Sequence, residues 1–99
     1  MNKHKVPEVY RVIYRCTSWK TKSERYYTAY HSSEALADIY HTFHHGKINS
    51  RKITIYDIEE YDRYSNLWVS RMDTAIFHAK DIDPKTMLVK TNKIILKRG

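Results

Sequence analysis

The stretch RYYTAYHSSEALADIYHTFHHGK, residues 25–47, decides the fold class because a strand pattern turns into a helix pattern inside it. Its first seven residues, RYYTAYH, are rich in tyrosine, which favours a strand. The residues after them repeat apolar side chains at the i, i+3, i+4 and i+7 spacing of an amphipathic helix: Leu36, Ile39, Tyr40 and Phe43. The pattern therefore predicts a helix that covers one face of a sheet.

Both ends of this helix carry recognisable signals. Ser32 or Ser33 can accept a hydrogen bond from a free amide of the first turn, and Glu34 places a negative charge at the positive end of the helix dipole. Gly46 can adopt the left-handed backbone conformation that ends a helix. We expect the helix to begin at these serines and to end at this glycine.

Strand patterns flank the helix. VYRVIYRCT, residues 9–17, predicts a first strand that pairs antiparallel with RYYTAYH across a short connection. Its better core-facing set is Tyr10, Val12, Tyr14 and Cys16. RKITIYDIEEYDRY predicts a third strand, with Ile53 and Ile55 on one side and Thr54, Tyr56 and Ile58 on the other. LWVSR predicts a fourth strand that holds Trp68 or Val69 against the core.

The C-terminal third has weaker patterns. DTAIFHAK is compatible with a short capped helical turn, and TMLVKTNKIILK with a hairpin around Thr91 and Asn92 or with a helix entered at Pro84. Clustered valine and isoleucine favour the hairpin. We expect a single α+β domain over residues 1–99: an antiparallel sheet in ββαββ order, one main helix on one face, and a C-terminal hairpin or short helix. The basic segment 84–99 could be mobile.

Charge is the most informative feature of the composition. The 99 residues carry a formal net charge of +7, which favours association with phosphate polymers. Both ends of the chain are basic, whereas DIEEYD, residues 57–62, places four carboxylates in six positions. The only cysteine, Cys16, permits no intramolecular disulfide, and the first twelve residues lack the apolar stretch of a secretory signal. No apolar run is long enough for a membrane span, so we expect a cytoplasmic protein.

A metal site on the helix is one reading of the histidines. Glu34, Asp38, His41 and His45 fall within about 60° of one another on the side opposite the apolar stripe. An i, i+4 histidine pair can bind a divalent ion. Against this, the chain has no His-Glu-x-x-His motif, and histidines in a last turn also interact well with the negative helix end. We expect a solvated helix face, with no metal and no cofactor.

Catalytic readings are also disfavoured. Cys16 lies in mid-strand on the expected core face, where a thiol usually behaves as a small hydrophobe. Glu59 and Glu60 are adjacent in a strand, so they point to opposite faces and do not converge on one substrate. The chain has neither a glycine-rich phosphate loop nor a nucleophile elbow. We therefore expect a binding protein and not an enzyme.

The sheet face opposite the helix is the favoured site, because arginine and tyrosine alternate along it. Guanidinium groups can contact phosphates while tyrosine rings stack on unpaired bases. We expect this face to bind nucleic acid or a nucleoprotein complex unless the C-terminal hairpin or a second subunit of a homodimer covers it. The cations expected to meet phosphate are Arg11, Arg15, Lys52, Lys93, Lys97 and Arg98. The aromatic residues expected to stack or anchor are Tyr26, Tyr30 and Tyr56.

RKITIYDIEEYDRYSNLWVSR after a ββα opening, with its Ile-x-x-Tyr-x-x-Tyr run at Ile58, Tyr61 and Tyr64, resembles small accessory proteins of bacteriophages and other mobile elements. The resemblance covers residues 9–71. It implies a non-enzymatic protein of the bacterial cytoplasm that docks onto host machinery, a class that includes inhibitors of defence systems such as CRISPR-Cas. The alternative function is therefore an inhibitor that binds a basic host protein through the acidic DIEEYD patch and Trp68.

Overall fold

The computed structural model describes residues 6–98, and it confirms an α+β protein with an antiparallel sheet. Lys3 and Lys5 of the basic N-terminal stretch, and Gly99, lie outside the described residues. Neither described helix has the length and apolar composition that crossing a membrane would require. The elements are, in chain order, β1 (Glu8–Cys16), β2 (Ser23–Ala29), α1 (Ser32–His44), β3 (Lys52–Asp62), β4 (Leu67–Ser70), α2 (Met72–Ala79), β5 (Met87–Lys90) and β6 (Lys93–Lys97).

The predicted ββαββ order is wrong, because the chain runs ββαββαββ and its last two strands belong to the main sheet. The six strands form one sheet in the order β2-β1-β3-β6-β5, and β4 pairs with β3 outside this path. The C-terminal hairpin around Thr91 and Asn92 is confirmed, but it is not an appendage: Thr54 of β3 pairs with Ile95 of β6.

The length of β3 explains this arrangement. It has 11 residues, and one edge pairs with β1. Residues 52–55 on its other edge pair with β6, and residues 59–62 pair with β4. Two short strands thus lie end to end along one long strand, and α2 connects β4 to the β5–β6 hairpin. A sequence pattern shows that each strand exists but does not show which edge it joins.

Both helices pack on the same face of the sheet, and one hydrophobic core lies between them and the strands. The predicted stripe of α1 is confirmed: Leu36, Ile39 and Phe43 are fully buried, and Tyr40 is half-buried. The predicted core face of β1 is confirmed as well. On the same face of the sheet, β3 contributes the fully buried residues Ile53, Ile55 and Ile58, and β6 contributes Ile94 and Leu96.

A β-bulge in β3 corrects the predicted sidedness of that strand. Tyr14 pairs with Ile55 and Ile13 pairs with Asp57, so Tyr56 is an extra residue with no partner on β1. The extra residue shifts the alternation by one, and Ile58 points into the core instead of sharing the face of Tyr56. The prediction for Ile58 was wrong because strict alternation cannot foresee a bulge.

The structure also corrects the predicted position of Trp68 and the predicted N-terminal cap of α1. Trp68 does not pack in the core: it pairs with Tyr61 on the opposite face, whereas Val69 is half-buried. At the start of α1, the side chain of His31, and not a serine, caps the helix, since its Nδ1 accepts the Ser33 N–H at 3.2 Å. Gly46 does take the left-handed conformation, with φ of 78°, immediately after α1.

The β5–β6 turn contains a strained residue. Thr91 has φ of 60°, a left-handed conformation that is costly for a β-branched side chain. Asparagine tolerates this conformation better.

We expect Thr91→Asn to raise the free energy of unfolding by about 1 kcal/mol, because it relieves this backbone strain. Chemical denaturation monitored by circular dichroism measures the change. Thr21→Asn, at an exposed turn residue without positive φ, is the control and should leave stability unchanged. Equal stability of the Thr91 variant and the wild type would contradict the assignment of strain.

Candidate nucleic-acid interface

The face of the sheet that points away from α1 and α2 is called here the open face. It carries alternate side chains of all six strands, including Lys90 of β5 opposite Lys93, with the bulge at Tyr56 resetting the alternation in β3. Within residues 6–98, no helix or strand packs over it as a second layer. Its principal polar and aromatic residues are Arg11, Arg15, Tyr26, Lys52, Tyr56, Glu59, Tyr61, Trp68, Lys93 and Lys97.

At one end of the open face, three cations converge on one phenol ring. Arg15 Nε donates to Tyr56 Oη at 3.2 Å, and Arg15 Nη1 donates to the carbonyl of Trp19 at 2.7 Å. Lys22 Nζ lies 4.3 Å from the centre of the Tyr56 ring, and Lys93 Nζ lies 5.6 Å from it. Arg15, Lys22, Tyr56 and Lys93 are called the Tyr56 cluster below.

The electrostatic effect of these cations is visible on the phenol itself. The hydrogen bond from Arg15 is the main cause that lowers the pKa of Tyr56, and the charges of Arg15, Lys22 and Lys93 lower it further. A cluster that stabilises a phenolate also stabilises other anions placed beside it. The local field therefore favours binding of a negatively charged ligand.

Two more lysines extend the positive charge along the open face. Lys52 and Lys97 stand directly opposite each other on β3 and β6, a like-charge pairing that costs stability. Within residues 6–98, neither of these lysines nor any cation of the Tyr56 cluster forms an ion pair with a carboxylate. Together with the Tyr56 cluster they make up the basic half of the open face.

The other half of the open face is built around Trp68 and is close to electrically neutral. The guanidinium of Arg11 lies 4.3 Å from the Trp68 ring centre, and its Nη2 is 2.6 Å from Glu59 Oε1. The ring centres of Tyr61 and Tyr26 lie 5.2 Å and 6.0 Å from that of Trp68. Arg11 is therefore held by a carboxylate and an indole, and its charge is already compensated.

Two predicted site residues lie away from the open face. Tyr30 follows β2 and lines a concavity of about 380 Å³ beside α2 with Tyr10, Glu60 and Arg71. Arg98 donates to the carbonyls of Ser50 and Ile48 at the end of the sheet. Of the other predicted site residues, Arg15, Tyr56 and Lys93 lie together in the Tyr56 cluster, and Lys52 lies opposite Lys97. Arg11 lies beside Tyr26 in the other half of the open face. Tyr30 and Arg98 are separate from both groups.

The four carboxylates of DIEEYD do not form one acidic patch. Asp57 accepts from the Ser70 hydroxyl, Glu59 binds Arg11, Glu60 binds Arg71, and Asp62 accepts from Ser65 and the Tyr64 N–H in the β3–β4 turn. Alternation along β3 also sends Glu59 and Glu60 to opposite faces. Glu59 and Glu60 are each paired with an arginine, whereas Asp57 and Asp62 accept from neutral donors, so the four charges are dispersed and do not form one concentrated acidic surface.

The residues considered for metal binding or catalysis have other surroundings. The rings of His41 and His45 are 5.8 Å apart, but within residues 6–98 no group of three His, Cys, Asp or Glu side chains could hold a metal ion. Cys16 is buried in the core. Burial and the neighbouring Glu60 raise the pKa of Tyr10 to about 12, so its hydroxyl is protonated at neutral pH.

Sequence reasoning missed Lys22 and the position of Trp68. Lys22 belongs to the β1–β2 turn, where a lysine is usually solvated, and only the path of that turn brings it over Tyr56. Trp68 could have been placed by pairing Tyr61 with it across a tight turn, since residues directly opposite share a face. The signal was one aromatic residue on each side of the four-residue turn 63–66, each two positions away from it.

Comparison of the chain with protein-family models, with curated protein sequences and with solved structures found no match to any of them. The function must therefore be inferred from the chemistry of the site.

We expect Arg15→Gln to raise the pKa of Tyr56, because the substitution removes the cation that donates to its hydroxyl. Nuclear magnetic resonance of the tyrosine ring carbons during a titration between neutral and alkaline pH measures this pKa. Arg63→Gln, at the far end of β3, is the matched control and should leave it unchanged. An unaltered pKa in the Arg15 variant would show that this hydrogen bond does not control the phenol.

We expect Arg11→Ala to lower the free energy of unfolding by about 1 to 2 kcal/mol, because it leaves the half-buried Glu59 without its partner. Chemical denaturation measures the loss. The double variant Arg11→Ala with Glu59→Gln should recover part of it, whereas additive effects of the two substitutions would mean that the pair does not interact.

Proposed function

We propose that the protein binds nucleic acid, alone or within a nucleoprotein complex, through the basic half of the open face. The observation that carries the proposal is the convergence of Arg15, Lys22 and Lys93 on Tyr56, beside Lys52 and Lys97, without a carboxylate partner among the described residues. Four of these cations stand on the exposed sheet face and Lys22 reaches over it from the β1–β2 turn, so their mutual repulsion costs stability. A polyanion that contacts them removes this repulsion.

Phosphate contacts dominate such an interface, so its affinity should depend strongly on salt. A single strand contributes a slope of about −0.7 per phosphate contact in a plot of log affinity against log salt, and a duplex about −0.9. Five contacts then correspond to a slope of roughly −3.5 to −4.5. These contacts carry no base information, which makes binding largely independent of sequence.

Tyr56 has a positioning role in this proposal. In the unbound protein its ring contacts the ammonium groups of Lys22 and Lys93, and its hydroxyl binds Arg15. The ring thus restrains three flexible side chains before a ligand arrives, which reduces the entropy lost on binding. Tyr26, which lies in the adjoining Trp68 half and has 56 % of its surface exposed, is the better candidate for stacking on a base of the same ligand.

Binding of a labelled oligonucleotide at two salt concentrations tests the proposal. We expect the double variant Lys22→Gln with Lys93→Gln to bind more weakly at low salt and to reduce the salt slope by about 2, one per lost phosphate contact. Lys22 lies in the β1–β2 connection and Lys93 on the open face, both outside the hydrophobic core, so the substitutions should not unfold the protein.

The matched control is Lys80→Gln with Lys85→Gln, which removes the same charge from exposed positions at and beyond the end of α2. We expect this control to bind like the wild type apart from a small long-range effect of net charge. Equal losses in the two double variants would show that total charge, and not the open face, determines binding. Absence of wild-type binding at low salt would overturn the proposal.

In that last case the Trp68 half of the open face becomes the candidate site for a protein partner. Trp68, Tyr26 and Arg11 belong to the residue types that dominate protein–protein hot spots, and Leu67 beside them is 63 % exposed. This second function agrees with the resemblance to accessory proteins of mobile elements that dock onto host machinery. Because the charges in the Trp68 half are paired with each other, the surface of the partner protein would be apolar and not strongly basic.

A further inference from the structure

An open groove of about 710 Å³ lies at the end of the sheet where β1 stops and β3 begins. Within residues 6–98, the side chains that line it include three cations and no carboxylate, and the main lining residues are Thr17, Asn49, Ser50, Arg51, Lys52 and Arg98. Its volume lies within the range of small-ligand sites, which is about 300 to 1,000 Å³. The groove is therefore large enough for a nucleotide-sized anion.

Arg98 is fixed in this groove before any ligand binds. Its Nε donates to the Ser50 carbonyl at 2.8 Å, its Nη2 donates to the Ile48 carbonyl at 2.9 Å, and its guanidinium lies 4.6 Å from the Phe43 ring centre. A guanidinium has five N–H groups, so three remain after these two bonds. A planar cation restrained in this way is suited to a phosphate, which it can bind through two parallel hydrogen bonds.

The backbone around the groove is also held in place. The hydroxyls of Thr17 and Ser50 both donate to the Lys52 carbonyl, at 2.8 Å and 2.7 Å. The backbone N–H of Arg98 donates to the backbone carbonyl of Arg51 at 3.1 Å. These bonds tie the end of β1, the α1–β3 loop and the end of β6 together, so the cations of the groove are attached to a rigid frame.

The groove is continuous with the basic half of the open face. Lys52 belongs to both, because it pairs with Lys97 on the open face and also lines the groove. Arg98, by contrast, contacts Phe43 of α1, on the helix side of the sheet. A chain of phosphates that leaves the Tyr56 cluster along Lys52 therefore reaches Arg51 and Arg98 by turning around the end of the sheet.

We propose that this groove binds a phosphate group of a single nucleic-acid strand that continues from the open face around the end of the sheet. The inference rests on the proposed function and deepens it, because a stiff duplex does not turn around the end of a small sheet within a few nucleotides. Single strands bend freely and follow basic grooves. The ligand class is thus single-stranded nucleic acid longer than the open face alone can hold.

The test compares two oligonucleotide lengths, about 4 and about 12 nucleotides, within the range of known single-strand sites. We expect Arg51→Gln to weaken binding of the longer strand and to reduce its salt slope by about 1, with no effect on the shorter strand. Arg51 is exposed, and its backbone bond to Arg98 does not depend on the side chain. Lys85→Gln is the control and should change neither affinity.

The outcomes separate this inference from the proposed function. If wild type binds neither strand, both fail. The groove alone is overturned by a different result: wild type binds both strands, the Lys22 and Lys93 double variant no longer binds either strand, and Arg51→Gln binds both strands like the wild type. A duplex that binds as tightly as the long single strand, with the same dependence on Arg51, would also overturn it.

The groove could be a site for a free phosphate ion instead of a phosphate group within a strand. The backbone amide resonances of Thr17, Ser50 and Arg98 distinguish these two ligands. We expect the longer oligonucleotide to shift these resonances at a concentration at least tenfold below that at which inorganic phosphate does. Shifts caused by inorganic phosphate but not by the oligonucleotide would overturn the strand path and assign the groove to a small anion.

Discussion

The rest of the structure depends on β3, and in particular on the bulge at Tyr56. This strand pairs with β1 along one edge and with β6 and β4 along the other, so three of the other five strands join it directly, and β2 and β5 join the sheet through β1 and β6. The bulge keeps Ile53, Ile55 and Ile58 in the core, although Ile58 follows Ile55 by an odd number of residues and would otherwise face the other way. Without the extra residue, the last half of β3 would turn Ile58 outward and Asp57 and Glu59 inward.

This geometry divides the open face by charge. On one side of the bulge, Glu59 compensates Arg11, and Trp68 covers the guanidinium. On the other side, Tyr56 holds three cations that have no carboxylate partner among the described residues. Salt bridges and aromatic contacts thus stabilise the first half, whereas the second half keeps its positive charge for a ligand. The net charge of +7 does not reveal this division, because it sums both halves.

Sequence reasoning gave part of the candidate site for a physical reason. Alternation along β1 was enough to put Arg11 and Arg15 on the face opposite the helix, because that strand has no bulge of its own before Cys16. Whether each arginine is free or paired depends on strands that are distant in sequence: Glu59 is 48 residues from Arg11. Lys22 entered the cluster through the path of a turn, which no periodicity describes.

By itself the sequence determined the elements and the apolar faces: the amphipathic α1, the alternating β1, the hairpin at Thr91 and the excess of basic residues. These are local properties, since each depends on the spacing of side chains within one segment. Only the tertiary structure decided which edge each strand joins, where the bulge falls, and which cations keep their charge uncompensated. Those features arise from contacts between distant segments, and several different pairings would satisfy the same local patterns.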